Sequence, residues 1–355
     1  MTGSLSGDEA MRKQMRAKLG DEVDDFIWHL RFRGHQIIEQ RVQRYGIDCD
    51  LKHGHLHAAM KPSHLNELQA FADEARRRGM GDQVQLLDQQ GMRQHLDSPL
   101  YLGGLKNTRN LHLHPLNLCL GEARAAHGLG ALIFENSEVL DIVHGPRPAV
   151  VTANGRINAR QVLLAGDVYH KLEPGQLKGK IFPAMGGIVT TAPLGDLARQ
   201  LNPNDLAVYD CRFVLDYYRM TADGRLLFGG GANYSGRDSR DIAGELRPCI
   251  ERTFPALKGV PIEFQWSCAM GIVVNRIPQL GKLSDNVWYC QGYSGHGVAS
   301  SHIMGEIMAE AITGTLEKFD TFAGCSHVRV PFGDVLGNPL LAAGMWYYQM
   351  LEKLR

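Results

Sequence analysis

Residues 286–314 read NVWYCQGYSGHGVASSHIMGEIMAEAITG. The opening residues, Asn286 to Gln291, are rich in β-branched and aromatic side chains and predict a short strand. Gly292, Gly295 and Gly297 then form a glycine-rich loop. Beyond it Ile303, Ile307 and Ala311 recur at helical spacing, as do Met304, Met308 and Ile312, until Gly314 stops a predicted helix. The local order is therefore strand, glycine loop, helix. Glycines let backbone approach a flat ligand, while first-turn amides and the helix dipole favour negative charge. This end of the chain is expected to hold an anionic group.

The composition excludes several classes. With 355 residues the chain is long enough for a large core and two domains. Lys plus Arg and Asp plus Glu are balanced at 38 each, so no global charge calls for nucleic acid or an acidic membrane surface. Seven cysteines without a CxxC pair fit reduced thiols in a cytoplasmic protein better than a disulfide framework. No apolar run approaches a membrane span, and Met1 to Gly7 has neither a charged start nor an apolar signal core. Arg12, Lys13, Arg16 and Lys18, flanked by Asp8, Glu9, Asp21 and Glu22, read as a solvated helix face rather than a transit peptide.

Outward from the loop, the elements alternate. One helix is expected over Asp21 to Tyr45, with Phe26, Leu30, Ile37, Ile38 and Val42 on its apolar side. A strand-like stretch, Leu51 to Met60, precedes a helix from Leu65 to Arg78, and Pro115 opens another over Leu116 to Ala126. Strands are expected at Ala131 to Glu135, Glu138 to Val143, Ala149 to Ala153 and Arg156 to Ala165. A helix followed by a buried strand ending in Ala165-Gly166 suggests mostly parallel sheet contact. The second half differs. Lys180 to Ala192 is one extended run, and Phe213 to Met220 pairs with Arg225 to Phe228 across the hairpin signal Asp223-Gly224. A helix from Asp241 to Phe254 and a strand from Ile262 to Trp266 lead back to the glycine loop. Parallel-type segments interrupted twice by antiparallel ones imply two domains that the chain visits alternately, with the cleft between them as the expected site.

Three segments, YYRMTADGRLLFGGG (Tyr217 to Gly231), NRIPQLG (Asn275 to Gly281) and GYSGHGV (Gly292 to Val298), carry a family resemblance over nearly the whole chain. In this order, with the Glu138-Val139 strand and Leu164-Ala165-Gly166 upstream, the sequence resembles the D-amino-acid-oxidase-type flavoprotein superfamily. Within it, the sequence is similar to the gamma-glutamylputrescine oxidoreductases. The resemblance implies an α/β, two-domain fold. An FAD-binding mixed or parallel sheet with helices would comprise residues 1–46, 107–170 and 268–322. An antiparallel-sheet substrate domain would comprise 47–106 and 171–267, with 323–355 as a tail and helix packed on the domains. It further implies FAD bound at the domain interface by Val139, Ala165, Gly166, Gly292, Tyr293, Ser294, Gly295, His296, Gly297 and Val298. Val139 would bond the adenine through its backbone, Gly166 would lie near the adenine-ribose portion, and the amides of Gly295 to Val298 would stabilise charge on the reduced ring.

The same resemblance exposes a departure. Such proteins begin with a strand, a GxGxxG turn and a helix, and no such unit occurs here; Gly128-Leu129-Gly130 and Gly229-Gly230-Gly231-Ala232 lack the spacing. The opening MTGSLSGDEAMRKQ is similar to an interior stretch of these proteins. The expectation is a misassigned start or a fragment missing a βαβ unit, with poor grip on the cofactor's pyrophosphate. Apolar faces or edges at Ala131 to Glu135 and Arg156 to Leu164 would be left unpaired.

Candidate catalytic residues are His296, Tyr217, Arg219 and Arg276. Aromatic walls at Tyr217 and Tyr218 desolvate an amine if they face the cleft, and strand alternation allows one set to do so. Arg219 or Arg276 would pair with a substrate carboxylate or make a structural ion pair. His296 either bonds the flavin or packs the loop. His53, His55 and His57 would fall on one strand face, and His112-Leu113-His114 repeats the spacing, but neither motif supplies a nearby carboxylate or further convergent ligand in sequence, so no metal is expected. Cys268 stands where the family commonly has glycine; inert packing beside Trp266 is expected over covalent flavin attachment. Gly344 to Met350 is expected to pack as an amphipathic helix.

The resulting expectation is an FAD-dependent amine oxidase acting on a small-molecule amine, with molecular oxygen or another acceptor taking the electrons. A D-amino-acid or sarcosine-type oxidase is the alternative within enzymes. An inactive flavoprotein remnant and a zinc-dependent hydrolase are the alternatives from other classes.

Overall fold

A computed structural model describes residues Leu5 to Leu354. Its internal contacts divide the chain into two compact units. The first is built from Met1–Cys49, His114–Ala184 and Ala269–Leu340, the second from Asp50–Leu113, Met185–Cys268 and Leu341–Arg355. The chain passes back and forth between them.

In the first unit, the strand Val287–Gln291 pairs antiparallel with Gln279–Ser284 on one side and parallel with Val162–Leu164 on the other. All residues of this central strand are buried, as its continuous apolar run requires. The loop helix, Gly297–Ile312, buries Ile303, Met304, Ile307 and Met308 against Met11, Met15, Ile27, Trp288 and Phe322. It also crosses the helix Arg33–Tyr45 at very short range. A Cβ on Gly34 would stand 2.4 Å from the Ala299 carbonyl oxygen, so glycine is required at that crossing. A separate antiparallel sheet of three strands comprises Val139–Val143, Ala149–Thr152 and Gly155–Asn158.

The second unit centres on an eight-stranded mixed sheet. Strand alternation divides its two faces. Across neighbouring strands, Leu56, Val208, Tyr218, Phe228 and Val189 stand in one register row and enter the core with Ile242, Leu246, Ile250 and Phe254 of the helix Ile242–Thr253 and its C-cap. The row beside it, His57, Tyr209, Tyr217, Gly229 and Ile188, faces the other way. The Asp223-Gly224 hairpin connects Tyr217–Met220 to Leu226–Asn233 as its turn signal requires, and Gly224 takes φ 73°.

Three expectations need correction. The single helix over Asp21 to Tyr45 is two helices, Val23–Arg31 and Arg33–Tyr45, broken at Phe32 with φ −110° and ψ 1°. The break aims successive arginines at different partners: Arg31 pairs with Asp8, and Arg33 makes a two-nitrogen contact with Glu306. Residues 131–135 form no strand; no neighbouring strand pairs with them, and Leu132 and Phe134 are 77% and 62% exposed. Residues 156–165 form two strands, Gly155–Asn158 and Val162–Leu164, because each joins a different sheet.

All seven cysteines are free. Among the described residues no helix is long and apolar enough to cross a membrane.

Candidate active site

The loop after Val287–Gln291 owes its shape to three left-handed residues: Gly292 has φ 81°, Ser294 φ 50° and Gly295 φ 92°. Gly292 has no substitute, since a Cβ there would lie 2.3 Å from a Val273 methyl. Ser294 ties the loop down: its amide donates to the Gly271 carbonyl at 2.9 Å and its hydroxyl accepts from the Val273 amide at 3.2 Å. Gly295 is open, with nothing within 4 Å of where a Cβ would stand. The first intrahelical bond runs from Ser300 N to His296 O at 3.1 Å, so the amides of Gly297, Val298 and Ala299 precede the ladder. They make the positive end of the helix dipole.

Polar side chains gather around this end. Ser300 Oγ is fully buried and His296 Nδ1 is buried, and among the described residues neither atom has a hydrogen-bond partner. Burial pushes the His296 imidazole below its ordinary pKa, with backbone hydrogen bonding and Asp8 opposing. Asp8, in the first turn of its own helix, pairs with Arg31; desolvation nevertheless holds its carboxyl above the ordinary range. Gly7 sits tightly against the backbone of Arg276, which itself has φ 64°. Arg276 and His296 are thus electrostatic neighbours in the first unit.

Asp167 joins two predicted segments that are far apart in sequence. It follows Ala165 and Gly166, both exposed at the exit of Val162–Leu164, and its carboxylate accepts from the Gly292 amide at 3.0 Å. Desolvation raises its pKa, and hydrogen bonds from the Gly292 and Gly271 amides oppose that. Val139 lies half-buried on its antiparallel strand, packed against the cluster of Val162, Leu164, Val287 and Tyr289. Tyr293 and Cys290 share a contact of 3.4 Å; burial pushes the thiol up to about 11 and the phenol higher still.

The remaining candidates belong to the second unit. Tyr217 and Arg219 share the sheet face opposite the core, whereas Tyr218 points into the core and bonds the Tyr101 hydroxyl at 3.0 Å. Tyr218 therefore builds the fold, and Tyr217 is the tyrosine of this pair on the other face. The Tyr217 ring covers Gly229, where a Cβ would lie 2.3 Å from Cζ. Desolvation pushes the Tyr217 phenol up to about 12. His57 stacks on Tyr209 with ring centroids 4.1 Å apart. On the same sheet, His55 and His112 lie 6.3 Å apart, and His112 is only 3% exposed with neither ring nitrogen hydrogen-bonded. Desolvation lowers His57 and His112 to about 4, so both rings are neutral at pH 7. Arg219 is 8% exposed, donates to the Met220 carbonyl at 3.0 Å and lies 3.7 Å from Asp50, which offsets its charge.

Among the described residues no group of three His, Cys, Asp or Glu side chains is arranged to hold a metal. Cys268 is exposed rather than packed away, and Trp266, two residues before it, is 41% exposed. Residues 344–350 fall within the helix Gly333–Leu354, with Met345 buried and Trp346 and Tyr347 outward. Sequence reading missed Asp8, Asp167, Ser300 and the His302–Glu122 pair. Ser300 was the most legible of these, being a polar residue in the first turn of the helix that follows the glycine loop.

A glycine loop feeding a buried helix in one unit, with a large mixed sheet as the basis of the other, makes this a two-unit α/β fold. The FAD dependent oxidoreductase family model, DAO, matches residues 7–311. Gamma-glutamylputrescine oxidoreductase of Escherichia coli is 40% identical over 338 residues, covering 94% of this chain and 79% of that protein. A probable oxidoreductase, OrdL, of Haemophilus influenzae is 32% identical, covering 99% of this chain and 82% of its own. Among solved structures, glycine oxidase of Bacillus cereus aligns with TM-score 0.69 at 19% identity, covering 90% of this chain and 85% of its own. L-alpha-glycerophosphate oxidase of Mycoplasma pneumoniae, solved with FAD bound, aligns with TM-score 0.66, covering 80% and 79%. The chain belongs to the DAO family of FAD-dependent oxidoreductases, and FAD is its cofactor.

The donor set of the first unit fits the flavin end of that group. The amides of Gly297, Val298 and Ala299 precede the helical ladder and are left for a ligand at the loop.

Proposed function

We propose that the chain oxidises an amine of the gamma-glutamylputrescine type to an imine, which water hydrolyses to an aldehyde and ammonia, with hydrogen peroxide as the product of reoxidation by oxygen. The observation that carries this reading is the anion-favouring helix start, where the amides of Gly297, Val298 and Ala299 precede the helical ladder. The 40% identity to a gamma-glutamylputrescine oxidoreductase supports the choice of amine.

FAD, when bound, supplies a hydride acceptor for the amine's carbon. The chain's own residues prepare that transfer. The amides of Gly297, Val298 and Ala299, with His296, would hold the flavin's pyrimidine edge and favour the negative charge that reduction places there. Val139, Ala165 and Gly166 are the proposed contacts toward its adenine half. On the substrate side, Tyr217 and Tyr209 would desolvate the carbon chain, and the neutral ring of His57 would accept N–H donors without repelling an amine. An apolar surround disfavours an ammonium and so keeps the nitrogen lone pair available. Catalysis then rests on positioning and charge stabilisation, and no side chain acts as a nucleophile.

A second reading, oxidation of a small amino acid, is favoured by one observation, the buried guanidinium of Arg219 on the same face. Anaerobic mixing of the flavin-loaded protein with gamma-glutamylputrescine, sarcosine and D-alanine separates the two. Bleaching of the visible flavin band by the acylated polyamine, followed by peroxide on admitting oxygen, is expected. Bleaching by the amino acids alone would transfer the assignment to the second reading.

A further inference from the structure

Ser284, His144 and Glu173 come from separate segments of the first unit and meet through their side chains. His144 follows the strand Val139–Val143, Ser284 ends the strand Gln279–Ser284, and Glu173 directly precedes Pro174. Ser284 Oγ lies 2.8 Å from His144 Nδ1, and Glu173 Oε1 lies 2.7 Å from His144 Nε2. The imidazole thus stands between a hydroxyl and a carboxyl group, one on each nitrogen. The His144 and Glu173 side chains are 33% and 17% exposed and Ser284 is half-buried, so the row reaches solvent.

The backbone around the row is shaped to hold it. The ladder between Gln279–Ser284 and Val287–Gln291 shifts register between Lys282 and Ser284, and a bulge of this kind re-aims the neighbouring side chain. Glu173 takes φ 55° directly before a proline, a conformation that the surrounding structure must enforce. Gln176 Nε2 donates to the Leu283 carbonyl at 3.1 Å and ties the Glu173 segment to the Ser284 strand. Asn286 Nδ2 contacts the carbonyls of Gly145 and Pro146 at 3.4 and 3.3 Å, which ties the segment after His144 to the turn after Ser284. The amine oxidation proposed above uses none of the three side chains.

We propose that Ser284, His144 and Glu173 form a further catalytic site, a serine–histidine–glutamate row that hydrolyses small acyl esters. Such a row is defined by geometry and roles, not by sequence order. Glu173 is the positioning residue: it accepts from Nε2–H and orients the ring, which leaves the Nδ1 lone pair toward the Ser284 hydroxyl. In the first step Ser284 Oγ bonds the ester carbonyl carbon and its proton passes to Nδ1. The bond to the alcohol oxygen breaks, and that oxygen takes the proton from Nδ1. In the second step water attacks the acyl-serine and gives a proton to Nδ1, which returns it to Ser284 Oγ as the carboxylic acid leaves. Asp285 and Asn286 form the turn after Ser284, and among the described residues neither backbone N–H has an acceptor. Both can therefore donate to the carbonyl oxygen as it gains charge. Leu172 and Leu283, next in sequence to Glu173 and Ser284, are half-buried and offer apolar cover to a short acyl chain.

Fluorophosphonate treatment of the flavin-loaded protein, read by peptide mass spectrometry, tests the nucleophile, because the reagent needs an activated serine: Oγ bonds phosphorus, and fluoride leaves with the proton. Phosphonylation of Ser284 is expected, with the labelling rate falling about a hundredfold or more in His144→Gln. No label, label confined to other residues, or an unchanged rate in His144→Gln would overturn the proposal. Hydrolysis of p-nitrophenyl acetate tests turnover. It is expected to be lost in Ser284→Ala and, in His144→Ala, to be lost and partly restored by free imidazole, a rescue that repacking would not give. Hydrolysis that persists in Ser284→Ala counts against the site. Glu173→Gln keeps the size of the side chain and is expected to lower kcat on the order of tenfold, as loss of one strong hydrogen bond would, with KM and the thermal midpoint unchanged. Should His144→Gln fail to fold, as judged by its flavin spectrum, Glu173→Gln decides: a kcat equal to that of the wild type overturns the proposal.

Discussion

Individual side chains in the second unit carry large burial costs, and their consequences are measurable. His112 is buried with both ring nitrogens unpartnered and is lowered from 6.5 to about 4 by desolvation. The unfolded chain therefore binds a proton that the folded chain refuses between those values. Stability rises with pH across this window and is lost as pH falls from about 6.5 toward 4. The contribution is about 3 kcal/mol at about 1.4 kcal/mol per pH unit. Urea midpoints measured across this window should therefore fall steeply for the wild type and less steeply for His112→Gln; equal slopes would mean that other groups dominate. Gly229 sets a different constraint, since it makes room for the Tyr217 ring. Gly229→Ala is expected to displace that ring, at a cost of about 1–3 kcal/mol in stability. On the proposed substrate face the same change raises KM for the amine more than it lowers kcat. An unchanged KM would remove Tyr217 from that role.

Between elements, the strand–loop–helix unit is held by contacts that no local window displays. Its order was legible because a run of β-branched and aromatic residues, clustered glycines and a 3.6-residue period each leave a local signature. The break at Phe32 was not, because it depends on Arg31 and Arg33 reaching Asp8 and Glu306 in other helices. Nor was the absence of a strand over 131–135, where propensity was present but no partner strand was. Asp167 and Glu122 were missed for the same reason: their partners Gly292 and His302 lie 125 and 180 residues away. Asp167 is the sharper test of this level. Its carboxylate satisfies the Gly292 amide at the first loop residue, so Asp167→Ala leaves that donor without its acceptor. The expected cost is about 1–3 kcal/mol. If Asp167 fixes the loop, FAD affinity falls with stability in Asp167→Ala, and Asp167→Asn, which keeps a side-chain oxygen, restores part of both. A stability loss with unchanged FAD affinity would restrict Asp167 to scaffolding.

For the whole molecule, charge and apolar surface act in the same direction. Formal net charge is zero at pH 7, so copies of the chain repel one another little. Residues following the helix Pro115–Gly128 expose a consecutive apolar run in which Leu129, Leu132, Ile133 and Phe134 are 70%, 77%, 53% and 62% exposed. A run of this kind lowers its free energy by covering itself, at roughly 25 cal/mol per Å² of apolar area removed from water. Reversible self-association is therefore expected near neutral pH, growing with salt as the remaining charge pattern is screened. Leu132→Gln combined with Phe134→Ser should reduce it in sedimentation velocity runs. Both side chains stand in water already, so the thermal midpoint should change by no more than about 0.5 kcal/mol of stability would produce. Association that persists in the double variant would place its driving surface elsewhere on the molecule, and a large fall in midpoint would mean that these side chains pack against something the folded chain needs.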